Sequence, residues 1–458
     1  MSSRKSWQNY LDDHHDRDFA ELIDFLKIPS VSTSPEHKDD VAAAATWVAN
    51  RLIAAGVPEV EILQSKGHPN VLAKWHAAPG KSTVLVYGHY DVQPVDPLNL
   101  WESDPFNPEI RNGLIYARGV ADMKTNLATL IQAVEALAQT GGAPPVNLTF
   151  LFEGEEEIGS PNLADVVVAQ KDRLGCDVAL SADGGMASSE QPALCVGLKG
   201  ICAVQIDLTT SSTDLHSGSY GAAVPNAIQT LVKLADTFHD EKGKVAVEGF
   251  YDSVIELTDA EKAEFAEIPY DAAAFMDEAG VSSVWGEPGY TVTERRWARP
   301  TVDFNGIWGG FQGTGTKTVT PAEAHLKITC RLVVDQQPEH IIDLLQAHVD
   351  KHCPQGVTAK VVVQETGARP YSLDRSSPTL KTAIEVLEDV YDCKPWIVRS
   401  GGSVPITEVF QRELGVETVT IGFGLPGSRV HAPNEWFRAS DFDRAREVYA
   451  AFFNALGE

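Results

Sequence analysis

The sequence predicts an α/β protein. A mostly parallel mixed sheet flanked by helices is interrupted by a separate α+β segment with an antiparallel sheet. Three observations carry this. Strand-like and helix-like runs alternate up to about residue 197. The texture then changes to half-exposed alternating strands, and past about Leu373 the first texture returns. The division reads 1–197, 198–372 and 373–458, with the first and third segments forming one domain around the second. A chain of 458 residues, at roughly 150 residues per domain, has room for two or three domains.

The elements follow in order. Phe19, Leu22, Ile23, Phe25 and Leu26 recur at helical spacing, and Pro29 stops that helix. A second amphipathic helix runs from about Val41 to Ala55 and ends at Gly56. Asn70–Trp75 and Thr83–Tyr87 read as strands. A helix from about Lys124 to Gln139 ends at Gly141-Gly142, and Val146–Phe152 is the next strand. Cys202 to Leu208 alternates like a half-exposed strand. Ala227, Ile228, Leu231, Val232 and Leu234 form the stripe of a helix. An irregular section rich in Pro and Gly is expected up to about Gly315. Strand His325–Val334, helix Pro338–Lys351 and strand Val357–Val363 follow, which suggests an antiparallel sheet. Helix Pro378–Tyr391, strand Thr418–Ile421 and helix Phe442–Leu456 complete the chain.

Thirty-seven Lys and Arg stand against 64 Asp and Glu, a net charge of −27. Such a surface repels nucleic-acid phosphates and anionic lipid headgroups, so neither nucleic acid nor membrane is an expected partner. With 43% apolar and 22% charged residues the composition is globular. The cations such a chain would gather are metal ions. The longest apolar stretch near the start, Val41 to Ala49, is short and interrupted by Thr46. No secretory signal is expected. Six cysteines without a CxxC read as reduced thiols, and a cytoplasmic location is expected.

In open α/β sheets ligands bind beyond the carboxyl ends of the strands. There the sequence places Gly88-His89-Tyr90-Asp91, Glu153-Gly154-Glu155-Glu156-Glu157, Ser181-Ala182-Asp183-Gly184-Gly185 and, in a later loop, His431. Arg118-Gly119-Val120-Ala121-Asp122-Met123-Lys124 opens a helix between the first two. Five loops bring a His or a carboxylate to one edge, which surface polarity does not explain. Two imidazoles with several carboxylates suit zinc, manganese or cobalt, whereas calcium takes oxygens. Two ions sharing a carboxylate would make a two-metal hydrolase site, with a further acid as base.

These motifs resemble the zinc metallopeptidase family of carboxypeptidase G, aminoacylase and acetylornithine deacetylase, and most of all its cytosolic, carnosinase-like dipeptidase branch. The resemblance rests on His89-x-Asp91, Arg118-Gly119-x-x-Asp122-x-Lys124, Glu156-Glu157-x-Gly159-Ser160, Asp183 and His431, with Trp101-x(3)-Pro105-Phe106-x-Pro108 before the second motif. It spans nearly the whole chain. It implies two divalent ions, zinc first, with manganese or cobalt as alternatives. By position, Asp122 would bridge them, His89 and Asp183 would hold one, and Glu157 and His431 the other. Glu156 would be the base that activates a metal-bridged water, with Asp91 orienting His89.

The interrupting segment would be a lid and dimerisation domain, and the protein a homodimer. In Asp214-Leu215-His216-Ser217-Gly218, His216 would stabilise the oxyanion across the dimer interface. Arg331 would grip the substrate carboxylate, helped by Ser403 in Gly401-Gly402-Ser403-Val404-Pro405, with Thr318 a further contact. Ala117, Thr125 and Ile158 depart from the family's usual residues, but none is a ligand. At position 183 the deacylase and carboxypeptidase branches carry Glu. Asp183 therefore favours a dipeptidase acting on a small peptide.

Two decoys fail. Gly422-Phe423-Gly424-Leu425-Pro426-Gly427 spells GxGxxG, but Pro426 and Pro433 oppose the helix a dinucleotide site needs. In Gly310 to Thr318, Gly315 is followed by Thr316, so the phosphate-loop spacing is absent. The alternatives to a dipeptidase are an N-acyl-amino-acid deacylase or carboxypeptidase of the same family and, in a different class, a non-catalytic metal- or nucleotide-binding protein.

Overall fold

Thr83–His89 is an almost unbroken apolar run, and a strand of that kind needs both faces covered. In the computed structural model, which describes residues 5–402 and 404–458, it lies between two parallel partners, Asn147–Glu153 and Val178–Ser181. Thr418–Thr420 adds a further parallel neighbour beside Val178–Ser181. Antiparallel strands flank this core: Glu59–Leu63 and Asn70–Trp75 on one side, Ala193–Leu198 on the other. The four central strands run the same way, so the loops beyond their carboxyl ends emerge at one edge.

The helices cover this sheet. Thr125–Gly141 is buried from Thr125 through Ala138 and packs against Asp441–Gly457. Gly142, at φ 82°, ends the first of these in the left-handed conformation a C-cap needs. Buried charges join the outer helices. Arg446 meets Asp18 at 2.6 Å, both side chains 1% exposed. Arg17 bonds Asp18 and Glu135, and Arg51 also pairs with Glu135.

The chain divides into two units. One comprises residues up to Val196 with Leu373–Val398 and Val409–Glu458; the other comprises Gly197–Ser372 with Arg399–Glu408. The segment Arg399–Glu408, grouped above with residues 373–458, thus clusters with the second unit.

The second unit is built on an antiparallel sheet in the order Thr301–Gly309, Glu323–Leu332, Gly200–Thr209, Thr358–Ala368. Gly200–Thr209 alternates strictly between buried and half-buried, the signature of a sheet with one covered face. Cys202, Val204, Ile206 and Leu208 share a core with Leu231 and Leu234 of helix Ala227–Asp236 and with Ile341 and Leu345 of helix Pro338–His352.

The section expected to be irregular contains three helices, Asp259–Glu267, Ala272–Ala279 and Val292–Ala298, and the edge strand Thr301–Gly309. Capping boxes start two of them, Thr258 with Glu261 and Thr291 with Glu294. They escape a periodicity reading because they bury so little: Asp259–Glu267 buries only Phe265, and Ala272–Ala279 nothing.

Arg446→Met leaves Asp18 buried with only the half-exposed Arg17 beside it. Loss of one partner of a buried pair is expected to cost about 3–5 kcal/mol. Urea unfolding would show this as a lower midpoint, and an unchanged midpoint would contradict it.

Candidate metal centre

The parallel strands deliver their loops to one place. His89 ends Thr83–His89, Glu156 and Glu157 follow Asn147–Glu153, Asp183 follows Val178–Ser181, and His431 lies in the loop after Thr418–Thr420. Asp122 enters from a separate turn. Gly119 starts that turn at φ 81°, where a Cβ would come within 2.4 Å of Val92. Only glycine combines that backbone with that contact. Asp122 itself is non-helical (φ −125°, ψ 97°), and the Asp122–Met123 bond is cis. His431 sits at φ 62°, with Arg429 and Asn434 also left-handed, a concentration of backbone strain of the kind found at functional sites. Asn434 secures this loop by accepting from Glu102 N–H at 2.8 Å and donating to Leu100 O at 2.8 Å.

Asp122 is the meeting point. One carboxylate oxygen is 3.1 Å from His89 Nε2 and the other 3.0 Å from His431 Nε2. His431 Nε2 is also 3.1 Å from Glu157 Oε2. Two donor groups result, His89–Asp122–Asp183 and Asp122–Glu157–His431, with the donor atoms of each within 4.8 Å of one another. The first is anchored by His89, which is fully buried, and the second is open through the exposed His431.

Other side chains fix these donors. The Asp91 carboxylate lies 3.4 Å from His89 Nδ1 and accepts from the N–H groups of Glu156 and Glu157 at 3.3 and 3.1 Å. Gln93 Nε2 donates to Glu157 Oε2 at 2.9 Å. The buried Glu435 carboxylate accepts from the N–H groups of Gly119, Ala121 and Asp122 and pairs with Arg118 at 2.7 Å. Tyr87 and Ser160 both donate to Glu153 Oε1, at 2.6 and 2.9 Å. Sequence reading reached Asp91 but missed Gln93, Glu153 and Glu435. Glu435 had one local signal, its position four residues beyond His431.

The electrostatics show a crowd of carboxylates. Burial opposes the charge on Asp122, but its bonds to His431 and His89 outweigh burial and hold the carboxyl well below the usual range. Burial, then the Asp122 charge, pushes Asp183 up to about 7. Burial lifts Glu156 to about 9; His89 opposes this, and Asp183, Glu157 and Asp122 add to it. Burial disfavours charge on His89, yet its bonds to Asp122 and Asp91 raise it well above the ordinary value. Bonds to Asp122 and Glu157 raise His431 to about 10. Among the described residues no Lys or Arg pairs with Asp122, Glu156, Glu157 or Asp183. The imidazole nitrogens of His89 and His431 are the nearest counter-groups to Asp122. The mixed nitrogen and oxygen donors fit a transition-series divalent ion, and the two groups can hold one each.

The remaining expected site residues belong to the second unit. His216 is exposed, and its Nδ1 accepts from Gly218 N–H at 3.1 Å, capping the short helix Ser217–Tyr220. Leu215–His216 pairs with Val319–Thr320, and Ser217 N–H donates to Thr318 O at 3.0 Å. His216 and Thr318 are therefore neighbours. Arg331 is half-buried on Glu323–Leu332, opposite Ile201 and Thr301, and lines a cavity with Lys199 and Gly401. Ser403 lies outside the described residues.

Comparison with known proteins agrees with the motifs. Residues 85–455 match Peptidase family M20/M25/M40. The chain is 30% identical to the Cys-Gly metallodipeptidase dug1 of Schizosaccharomyces pombe, with 97% of each chain covered. It is 29% identical to the Beta-Ala-His dipeptidase of Homo sapiens, covering 98% of this chain and 92% of that one. Its fold is similar to that of the M20 family metallo-carboxypeptidase Sso-CP2 from Sulfolobus solfataricus, with a TM-score of 0.84 and 32% identity over 96% of this chain and 99% of that one. The chain belongs to peptidase family M20/M25/M40 and is a metallopeptidase.

Proposed function

We propose that the protein is a dinuclear dipeptidase. The observation that carries this reading is the sharing of Asp122 between two donor groups, with Glu156 near enough to feel the charges of His89, Asp183, Glu157 and Asp122. In this reading Asp122 would be shared by two ions, His89 and Asp183 would hold one, and Glu157 and His431 would hold the other. Zinc is the first choice for both, with manganese or cobalt as alternatives. Bound there, two such ions would supply Lewis-acid charge for amide hydrolysis.

The chain's own groups do the rest. Glu156 accepts a proton from the attacking water and returns it to the leaving amine nitrogen. Asp91 fixes the His89 ring and, through two N–H bonds, the backbone that carries Glu156 and Glu157. His216 donates to the developing oxyanion. Arg331, with Thr318 and Ser403, holds the terminal carboxylate of a small peptide and sets which bond is cut.

We read residues 198–372 as the lid and dimerisation domain and residues 1–197 with 373–458 as the catalytic domain. A homodimer is supported by Thr301–Gly309, an edge strand that exposes Phe304, Ile307 and Trp308. A cytoplasmic location fits six cysteines none of which is in a disulfide among the described residues. Among the described residues no helix is long and apolar enough to cross a membrane.

The names of the relatives favour two substrate classes, dipeptides in two cases and a carboxypeptidase in the third. Asp183 favours dipeptides. A free dipeptide should be cleaved with a kcat/KM at least roughly tenfold above that of its N-acetylated form. The reverse order would move the protein to the deacylase or carboxypeptidase branch. Glu156→Gln should retain its ions while kcat falls on the order of 10²–10⁴-fold; retention of substantial activity would sink the base assignment. Glu435→Gln removes the charge that receives three N–H groups around Asp122. It should weaken divalent-ion affinity roughly 10–100-fold, as read by competition with a chelating dye.

A further inference from the structure

The second unit carries an open cavity of about 660 Å³ whose lining has more cationic than anionic side chains, against the charge of the chain. The protein as a whole carries −27. The cavity is lined by five cationic side chains, Lys199, Arg295, Arg296, Arg299 and Arg331, against three carboxylates, Asp240, Glu287 and Asp303.

The partners of these cations decide what charge remains. Arg299 is neutralised, since it bonds Glu287 through two nitrogens and Glu256 through a third. Arg295 bonds only main-chain carbonyls, Glu287 O at 2.7 Å and Trp285 O at 3.2 Å. Arg296 is exposed, with its guanidinium 5.5 Å from the Phe275 ring. Among the described residues neither Arg295 nor Arg296 has an ion pair. Lys199 is 3% exposed, and its Nζ donates to Arg295 O and Arg299 O. Burial pushes its ammonium down to about 8; Asp303 opposes this, and Arg331, Arg296 and Arg299 add to it. These cations therefore share one field. At the rim, Trp285 is 78% exposed and packs over Gly243, offering an apolar wall.

The cavity adjoins the position read above as the carboxylate grip. Arg331 and Gly401 are in its wall, and Lys199 N–H donates to Gly402 O at 3.0 Å. A carboxylate held at Arg331 would lie at the wall of this cavity. We propose that this cavity receives the side chain of the substrate's carboxy-terminal residue and selects an acidic one, Arg296 and Arg295 taking the second carboxylate while Arg331 takes the first. This rests on the dipeptidase reading and deepens it. It also departs from the relatives, whose names place glycine or histidine at that position. A charge-assisted bond to a guanidinium discriminates a carboxylate from its amide isostere, and Arg295, bonded to two main-chain carbonyls, is held in place to make one.

The test compares Ala-Glu with Ala-Gln on the ion-loaded enzyme at fixed ionic strength. The kcat/KM for Ala-Glu is expected to be about tenfold or more above that for Ala-Gln, the discrimination of one charged hydrogen bond. Arg296→Gln, an exposed position that threatens no core, should cut that ratio at least severalfold. Arg331→Gln should lower both substrates together and leave the ratio standing. Equal kcat/KM for the two peptides in the wild type, or a ratio untouched by Arg296→Gln, overturns the proposal. Calorimetric binding of both peptides to the Glu156→Gln variant separates this from failure of the dipeptidase reading. If the wild type cleaves neither peptide, the dipeptidase reading falls. Tighter binding of Ala-Glu, weakened by Arg296→Gln, then still supports the cavity's role, and equal binding rejects it.

Discussion

Asp122 lies half-buried among other carboxylates, with His89 on one oxygen and His431 on the other, and three loops of the first unit are organised around it. Burial disfavours the charge on Asp122, and its bonds to His431 and His89 favour it. Its orientation depends on a pair of buried charges. Glu435 collects the N–H groups of Gly119, Ala121 and Asp122. Arg118, paired with Glu435, donates to Pro94 O and Ala432 O. One ion pair, each side chain 1% exposed, thus ties together the loop after His89, the turn bearing Asp122 and the loop bearing His431. Such a pair is weak evidence for stability, since desolvation offsets much of its attraction. Its value is geometric: it fixes three loops relative to one carboxylate.

The Glu156 loop is held by the same logic with different parts. Asp91 fastens its backbone N–H groups from the His89 strand. Glu153, pushed up to about 8 chiefly by burial, gathers Tyr87 from one strand and Ser160 from the far end of the loop. If Glu156 is the proposed base, it would need a backbone that cannot drift, and these contacts hold that backbone from two sides. In the second unit, Lys199 plays a comparable part, its backbone on Gly402 and its ammonium on the end of helix Val292–Ala298.

Much of this was legible in the chain. The parallel core was visible because buried parallel strands read as apolar runs, and the donors were visible because such strands present their ligands at their carboxyl ends. His89, Glu157, Asp183 and His431 are singled out by that pattern and Asp122 by the motif that opens a helix, and the structure brings all five together as two candidate donor groups. What escaped was of two kinds. Glu435, Gln93 and Glu153 act through contacts that no local spacing encodes; Glu435 lies more than three hundred positions from the amides it binds. The helices between Asp259 and Ala298 escaped because they bury too little to show an apolar stripe. The T-x-x-E caps at Thr258 and Thr291 were the signal available there.

The central claim is that one carboxylate serves two ions. It is tested most directly by counting ions bound per chain, by elemental analysis after dialysis against a mild chelator. The account predicts about two in the wild type, about one in Asp183→Asn, which damages one donor group, and close to none in Asp122→Asn, which damages both. An Asp122→Asn chain that holds as many ions as the wild type, or a wild type that never exceeds one, would contradict it.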